Sequence, residues 1–228
     1  MAAANLVLMN LEFSSKYGWD KQVDPWLDEL EAMPEDLPNA YRIWKSAQRY
    51  RAAGNEARAA RCEMLIKLIH NSYIPTDVRL GEDVQFGYGG MGVILHPLCE
   101  IGDGVSIGSN VTLGGNKRPT RLSAITGRPI NVPRIENYAY IATGAKILGG
   151  VTVGAFAIVG ANAVVTHDVP AGGVVAGIPA RLVSQVTAQN ALKYKATYLT
   201  ARRLSDSDFL EIFDNHVNGD ADAQLSPR

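Results

Sequence analysis

The fold class this 228-residue sequence predicts is mainly β: a triangular β-solenoid between two helical segments. Three observations predict it. Aliphatic residues recur six apart at Ile135, Ile141, Ile147, Val153, Val159 and Val165, earlier at Leu95, Ile101, Ile107 and Leu113, and first at Ile74, Leu80 and Phe86. Four places after most of them sits a small or β-branched residue (Val78, Val84, Val105, Val111, Ala139, Ala145, Val151, Ala157, Ala163, Val169), and one place after sits glycine at 81, 87, 102, 108, 114, 154 and 160. The composition agrees, because 22 glycines against five Phe, three Trp and nine Tyr describe a backbone that turns often around small aliphatic side chains.

A period of six suits neither a helix of 3.6 residues per turn nor a plain alternating strand. It suits a coil in which each six residues make one flat strand and one turn. Three such units close a coil of 18 residues. The aliphatic residue points at the axis, the residue four later packs near a corner, and glycine supplies the freedom the turn demands.

The elements follow in order. Residues 1–72 read as an N-terminal helical segment. Leu37 to Ala53 forms one helix with Pro38 near its start, and Asn55 caps a second whose apolar face is Ala59, Cys62, Leu65, Ile66 and Ile69, the two joined at Gly54. Residues 73–183 are the solenoid. Residues 184–217 are a C-terminal helical segment, and 218–228 a disordered tail with one large apolar residue, Leu225. The repeat breaks twice. Phe86 to Leu95 spans nine residues, and the extra three bring glycines at 87, 89, 90 and 92. Leu113 to Ile135 spans 22, so residues 116–133 leave the coil as a loop, and Lys117, Arg118, Arg121, Arg128 and Arg134 give this region five positive charges and no acid, as an anion-facing flap would have.

Several classes are excluded. A net charge of −1 offers no general attraction to nucleic acid or an anionic membrane. Two cysteines, Cys62 and Cys99, are too few for a disulfide scaffold or a thiolate zinc site, and Cys99 occupies a small interior position as a structural thiol. No apolar run reaches the length of a spanning helix, and no basic residue precedes the apolar patch Leu6–Met9, so the chain is expected to be soluble and cytoplasmic. His70, His96, His167 and His216 are spread too widely for a three-histidine zinc site, and no metal is expected.

The stretches Ile101 to Gly115, Ala142 to Gly154 and Val159 to Val183 resemble the hexapeptide-repeat acyltransferases, most of all serine acetyltransferases and their relatives in polysaccharide gene clusters. The resemblance covers Ile74 to Val183 and implies a left-handed parallel β-helix, a homotrimer with active sites between subunits, and acetyl-CoA as co-substrate. It places cofactor contacts on Thr143, Ala161, Thr166, His167 and Arg181. The chain departs from serine acetyltransferases where they carry active-site histidines: Gly87 and Tyr88 stand at one such position, Val132 or Pro133 at another, and Asn116 where related sugar acetyltransferases have a loop histidine. His96 is the remaining candidate base, with Tyr88 to orient the acceptor or move a proton and Gly114, Gly115 and Asn116 as oxyanion and acceptor contacts. The expected reaction is O-acetylation of a sugar or glycan hydroxyl. L-serine or an amino sugar is the alternative acceptor, and a degenerate trimeric scaffold the non-enzymatic one.

Overall fold

The computed structural model describes residues 37–218 except 119, 124 and 125, and residues 38–218 belong to one compact unit. The first 36 residues of the helical segment and the tail after Asn218 lie outside the described residues.

Helices α1 (Ala40–Ala52) and α2 (Glu56–His70) open the unit. The Asn39 side chain accepts the Arg42 N–H and the Asn55 side chain the Arg58 N–H, which fixes both starts. The first helix thus begins three residues after the expected Leu37, at its cap. Gly54, at φ +70°, makes the turn between them.

The solenoid follows coil by coil: β1 (Arg79–Leu80) and β2 (Gln85–Phe86); β3 (Ile94–Leu95), β4 (Glu100–Ile101) and β5 (Ser106–Ile107); β6 (Thr112–Gly114), the loop hairpin β7 (Arg121–Leu122) and β8 (Pro129–Ile130), then β9 (Arg134–Ile135) and β10 (Tyr140–Ile141). The upper coils are β11 (Lys146–Leu148), β12 (Thr152–Val153) and β13 (Ile158–Val159), then β14 (Val164–Val165) and β15 (Gly173–Ala176). The strands stack in three parallel faces: face A is β3, β6, β11 and β14; face B is β1, β4, β9 and β12; face C is β2, β5, β10, β13 and β15. This is a left-handed parallel β-helix. Register follows the repeat, so that Leu95, Leu113, Ile147 and Val165 lie one above another on face A and are buried to 2% or less. Cys99 is buried with them, and desolvation pushes its thiol up to about 12.

Corners need left-handed residues. At the corner from face C to face A, Gly92, Asn110, Gly144 and Asn162 form a column with φ between +56° and +77°. A Cβ on Gly92 would fall 2.1 Å from Asn110 Oδ1, and one on Gly144 2.0 Å from Asn162 Oδ1, so each Asn side chain fills the space its glycine neighbour leaves.

The section after the solenoid departs from the helical expectation at its start. Arg181–Gln185 is a strand, β16, antiparallel to β15, because the chain folds back on face C before it leaves. The boundary expected at 183 falls inside this strand. Helical structure follows at α3 (Ala191–Tyr194), in 3-10 turns at Lys195–Thr197 and Ala201–Arg203, and at α4 (Asp206–Val217), the last capped by Ser205, whose hydroxyl accepts the Asp208 N–H. These pieces cover the corner from face B to face C, where Phe156 sits at φ +54° and is fully buried among Tyr138, Tyr198, Phe209 and Phe213. Burying the ring contributes about 1.5–3 kcal/mol and offsets a left-handed cost of about 1–2 kcal/mol.

Candidate functional site

The corner between faces A and B collects most of the expected site. His96 follows β3, Gly114 ends β6 with Gly115 and Asn116 after it, and Thr166 and His167 follow β14, so all lie along one edge. The His96 N–H donates to the Leu113 carbonyl (2.9 Å), which puts His96 one coil from Gly114. Strand spacing of about 4.8 Å puts His96 and Thr166, three coils apart, roughly 14 Å from each other.

The other candidates lie elsewhere. Tyr88, Thr143 and Ala161 occupy the corner between faces C and A, across the width of face A from His96. Tyr88 is 82% exposed at φ +51° and is not brought to His96. Thr143 and Ala161 stack on successive coils, where the Ser109 hydroxyl reaches Thr143 Oγ1 (3.4 Å) and Gly108 has no room for a Cβ.

The glycine insertion has a structural use. Gly90, at φ +106°, faces Ala40 of α1, where a Cβ would come within 2.7 Å of the Ala40 Cβ, and Gly89 lies against the His70 ring. The Ser72 hydroxyl donates to the Gly90 carbonyl (2.5 Å), and the Gly92 N–H donates to the His70 carbonyl (2.9 Å). These glycines let the turn seat the helices.

His96 is half-buried, and its Nδ1 accepts the Leu98 N–H at 3.1 Å. The neutral ring held this way carries its proton on Nε2 and presents a donor outward. The base expected from sequence therefore holds its remaining lone pair in a turn. Asn116 is also occupied: its N–H donates to the Asn131 carbonyl (3.1 Å), and its side-chain oxygen accepts the Lys117 N–H (2.8 Å). The register of β6 on β11 commits the Gly114 N–H to the coil above, which leaves the Gly115 N–H as the backbone donor at the loop mouth.

The loop divides. Lys117 and Arg118 are exposed and, with Thr120, Thr166 and His167, line a cavity of about 840 Å³. His167 and Arg181 share an adjoining cavity of about 360 Å³ with Pro170 and Leu182. Four basic side chains thus border adjoining spaces at the top of the A–B corner, a site fitted to an anionic ligand. Arg121, expected to face an anion as well, is instead turned inward. Its Nη1 donates to Glu100 Oε2 (2.8 Å), with side chains only 7% and 9% exposed. The acid missing from the loop comes from β4. A third cavity, about 340 Å³ on face B, mixes Arg79 and Arg134 with Asp103 and Glu136 and lacks that single-sign character. Among the described residues no cluster of three His, Cys, Asp or Glu side chains is placed to hold a metal, and no helix is long and apolar enough to cross a membrane.

Sequence reasoning missed Lys117, Arg118 and Thr120 as lining of one cavity with Thr166 and His167. The charge run was visible; the return of the loop onto the last coil was not.

Comparison with known proteins agrees with the fold. The model of the bacterial transferase hexapeptide (six repeats) family matches residues 133–167. A serine acetyltransferase of Bacillus licheniformis is 46% identical over 96 residues, 42% of this chain and 41% of that protein. Serine acetyltransferase 2 of Arabidopsis thaliana is 31% identical over 170 residues, 73% of this chain and 48% of that protein. Among solved structures, a serine acetyltransferase of Brucella abortus in complex with coenzyme A superposes with a TM-score of 0.56 at 28% identity, covering 65% of this chain and 56% of that one. A serine acetyltransferase in complex with cysteine gives 0.55 at 29% identity, covering 65% and 55%. The chain spans less than half the length of these two curated relatives. Its solenoid is a left-handed β-helix of the bacterial transferase hexapeptide kind, related in sequence and in shape to the solenoids of serine acetyltransferases.

Proposed function

We propose that the chain is an acetyl-CoA-dependent O-acetyltransferase whose acceptor is the hydroxyl of L-serine. The observation that carries this reading is the group of three cations, Lys117, Arg118 and Arg181, with the His167 ring among them, at the top of a corner whose lower coils hold His96, Gly114 and Gly115. The phosphates of the donor suit the cationic end. Its pantetheine arm suits the corner, and its thioester the neighbourhood of His96, roughly 14 Å below. The names of the relatives favour serine, and one neighbour is a coenzyme A complex.

In this reading the serine hydroxyl attacks the thioester carbonyl, a C–O bond forms, and the tetrahedral oxyanion accepts hydrogen bonds from His96 Nε2–H and the Gly115 N–H. The intermediate collapses with cleavage of the C–S bond. The proton lost by the hydroxyl goes to the departing thiolate, and the products are the O-acetyl ester and free CoA. His96 is a hydrogen-bond donor here, in place of the base expected from sequence.

A sugar hydroxyl is the second reading, favoured by one observation. Val132 or Pro133 stands where serine acetyltransferases carry an active-site histidine, both are buried, and Gly87–Tyr88 occupies the other position. We also propose a homotrimer with active sites between subunits. The outward row of face A carries exposed Tyr73 and Ile94, with Met91 and Leu98 at its edges, as a subunit contact would.

The test is CoA release from acetyl-CoA with L-serine, amino sugars, nucleotide sugars and capsular oligosaccharides in parallel. Turnover with serine supports the first reading. Turnover confined to a sugar replaces it with the second, and none with any hydroxyl acceptor removes both.

A further inference from the structure

Glu100 is a buried carboxylate that the proposed reaction does not use. On β4 it points outward while Ile101 points to the axis, and its register neighbours on either side are Arg79 and Arg134. Its two oxygens nevertheless reach the loop. Oε2 accepts from Arg121 Nη1 and Oε1 from the Ser123 hydroxyl, both at 2.8 Å. Arg121 is held on every side: Nε donates to the Val132 carbonyl (2.8 Å), Nη2 to the Pro133 carbonyl (3.1 Å) and Nη1 also to the Leu122 carbonyl (3.2 Å).

Burying a charge pair is costly, and apolar side chains would cover a corner at less expense in desolvation. A planar guanidinium with three of its nitrogens committed fixes direction as well as distance. The stem of the loop is therefore bolted to the second coil, whereas its tip, Lys117 and Arg118, is exposed. Only a fixed stem brings that tip over Thr166 and His167, two coils above the strand that leads into the loop.

We propose that Glu100 is a positioning residue: through Arg121 and Ser123 it clamps the loop stem to the solenoid so that Lys117 and Arg118 are held over the cavity that takes the phosphorylated end of the acyl donor. This rests on the donor reading above. The clamp predicts which peptide bonds trypsin reaches. Arg118 and Arg128 each precede proline and resist cleavage, and Lys117 in the exposed tip is open to trypsin with or without the clamp, so the informative bond is Arg121–Leu122, whose arginine is buried in the clamp.

The experiment compares wild type, Glu100→Gln, Ser123→Ala and the double variant Lys117→Ala/Arg118→Ala. It measures tryptic cleavage after Arg121 by mass spectrometry, coenzyme A affinity by calorimetry, and the thermal melt. In Glu100→Gln cleavage is expected to accelerate roughly tenfold and coenzyme A to bind roughly tenfold more weakly while the solenoid still melts cooperatively. Ser123→Ala moves both readouts the same way by less, and it decides the question if Glu100→Gln does not fold. The double variant lowers affinity and leaves cleavage after Arg121 unchanged. Cleavage at the wild-type rate in Glu100→Gln overturns the clamp, and faster cleavage with unchanged affinity overturns its positioning role. A wild-type protein that binds no coenzyme A instead sinks the donor reading, and proteolysis alone then decides whether the clamp stands.

Discussion

Gly150 offers a way to disturb the loop without touching a charged group. It has an ordinary φ, so alanine there meets no left-handed penalty, and its side of the corner carries the hairpin β7–β8. A Cβ at Gly150 would lie 2.5 Å from the Arg121 nitrogen, 2.7 Å from the Ile130 carbonyl oxygen and 2.7 Å from the Thr120 carbonyl carbon, where ordinary contact begins near 3.4 Å. The obstructing atoms are backbone and have no rotamer to change, so the hairpin must withdraw by about 0.9 Å. A shift of that size carries the Arg121 to Glu100 contact, now 2.8 Å, past hydrogen-bond range. Overpacking of this kind costs about 1–3 kcal/mol, and misplacement of a positioning element by about 1 Å costs up to about 10²-fold in rate. Gly150→Ala should therefore lower the melting midpoint modestly and lower kcat/KM for acetyl-CoA far more. Equal effects, or full activity with an unmoved hairpin, would show that the corner tolerates a Cβ and refute the reasoning.

Other perturbations act on separate parts of the molecule. Ile147 is fully buried between Leu113 and Val165, and Ile147→Ala should cost about 2–5 kcal/mol in denaturant unfolding. Loss of the Tyr198 hydroxyl, which donates to the Phe156 carbonyl at 2.8 Å, should cost about 1 kcal/mol in Tyr198→Phe by the same measurement. Burial holds the Cys99 thiol at about 12 against an ordinary 9.0, so the folded chain keeps a proton that the unfolded chain loses above pH 9.0. That contribution to stability is fully present below pH 9.0 and is lost as pH rises toward about 12, at about 1.4 kcal/mol per unit, and Cys99→Ala should flatten this part of the alkaline stability profile. His96→Gln, which keeps an outward amide donor, should retain more activity than His96→Ala, whose loss is expected near 10²-fold. An acid limb in kcat/KM that disappears in His96→Ala would restore the imidazole as base.

The solenoid was legible because every coil solves the same packing problem, so Ile135 to Val165 announce one interior column by arithmetic alone. The corners were half legible. Glycine was read as their punctuation, yet Asn110 and Asn162 do the same backbone work in one column with Gly92 and Gly144, and asparagine carries no aliphatic marker to count from. Phe156 was opaque for a related reason. It occupies a turn position in the repeat, and only the later chain, through Tyr198, Phe209 and Phe213, makes that turn an interior. The site was the least legible part. The glycine insertion looked like a functional break and proves to be the seat of α1 and α2, whereas Glu100, an unremarkable outward residue on a regular strand, organises the loop. Periodicity identifies what repeats, and a contact made once has no period.

The corner between faces A and B is graduated. Groups that project from it can sit only at multiples of the strand spacing, about 4.8 Å, because every coil must stay in register with the next. Distance along the site is therefore quantised. The separation of His96 from Thr166 cannot be tuned by point substitution in the coils between them, only by adding or removing a full turn of 18 residues, and a loop that leaves the coil is the one place where a continuous adjustment is open to the chain.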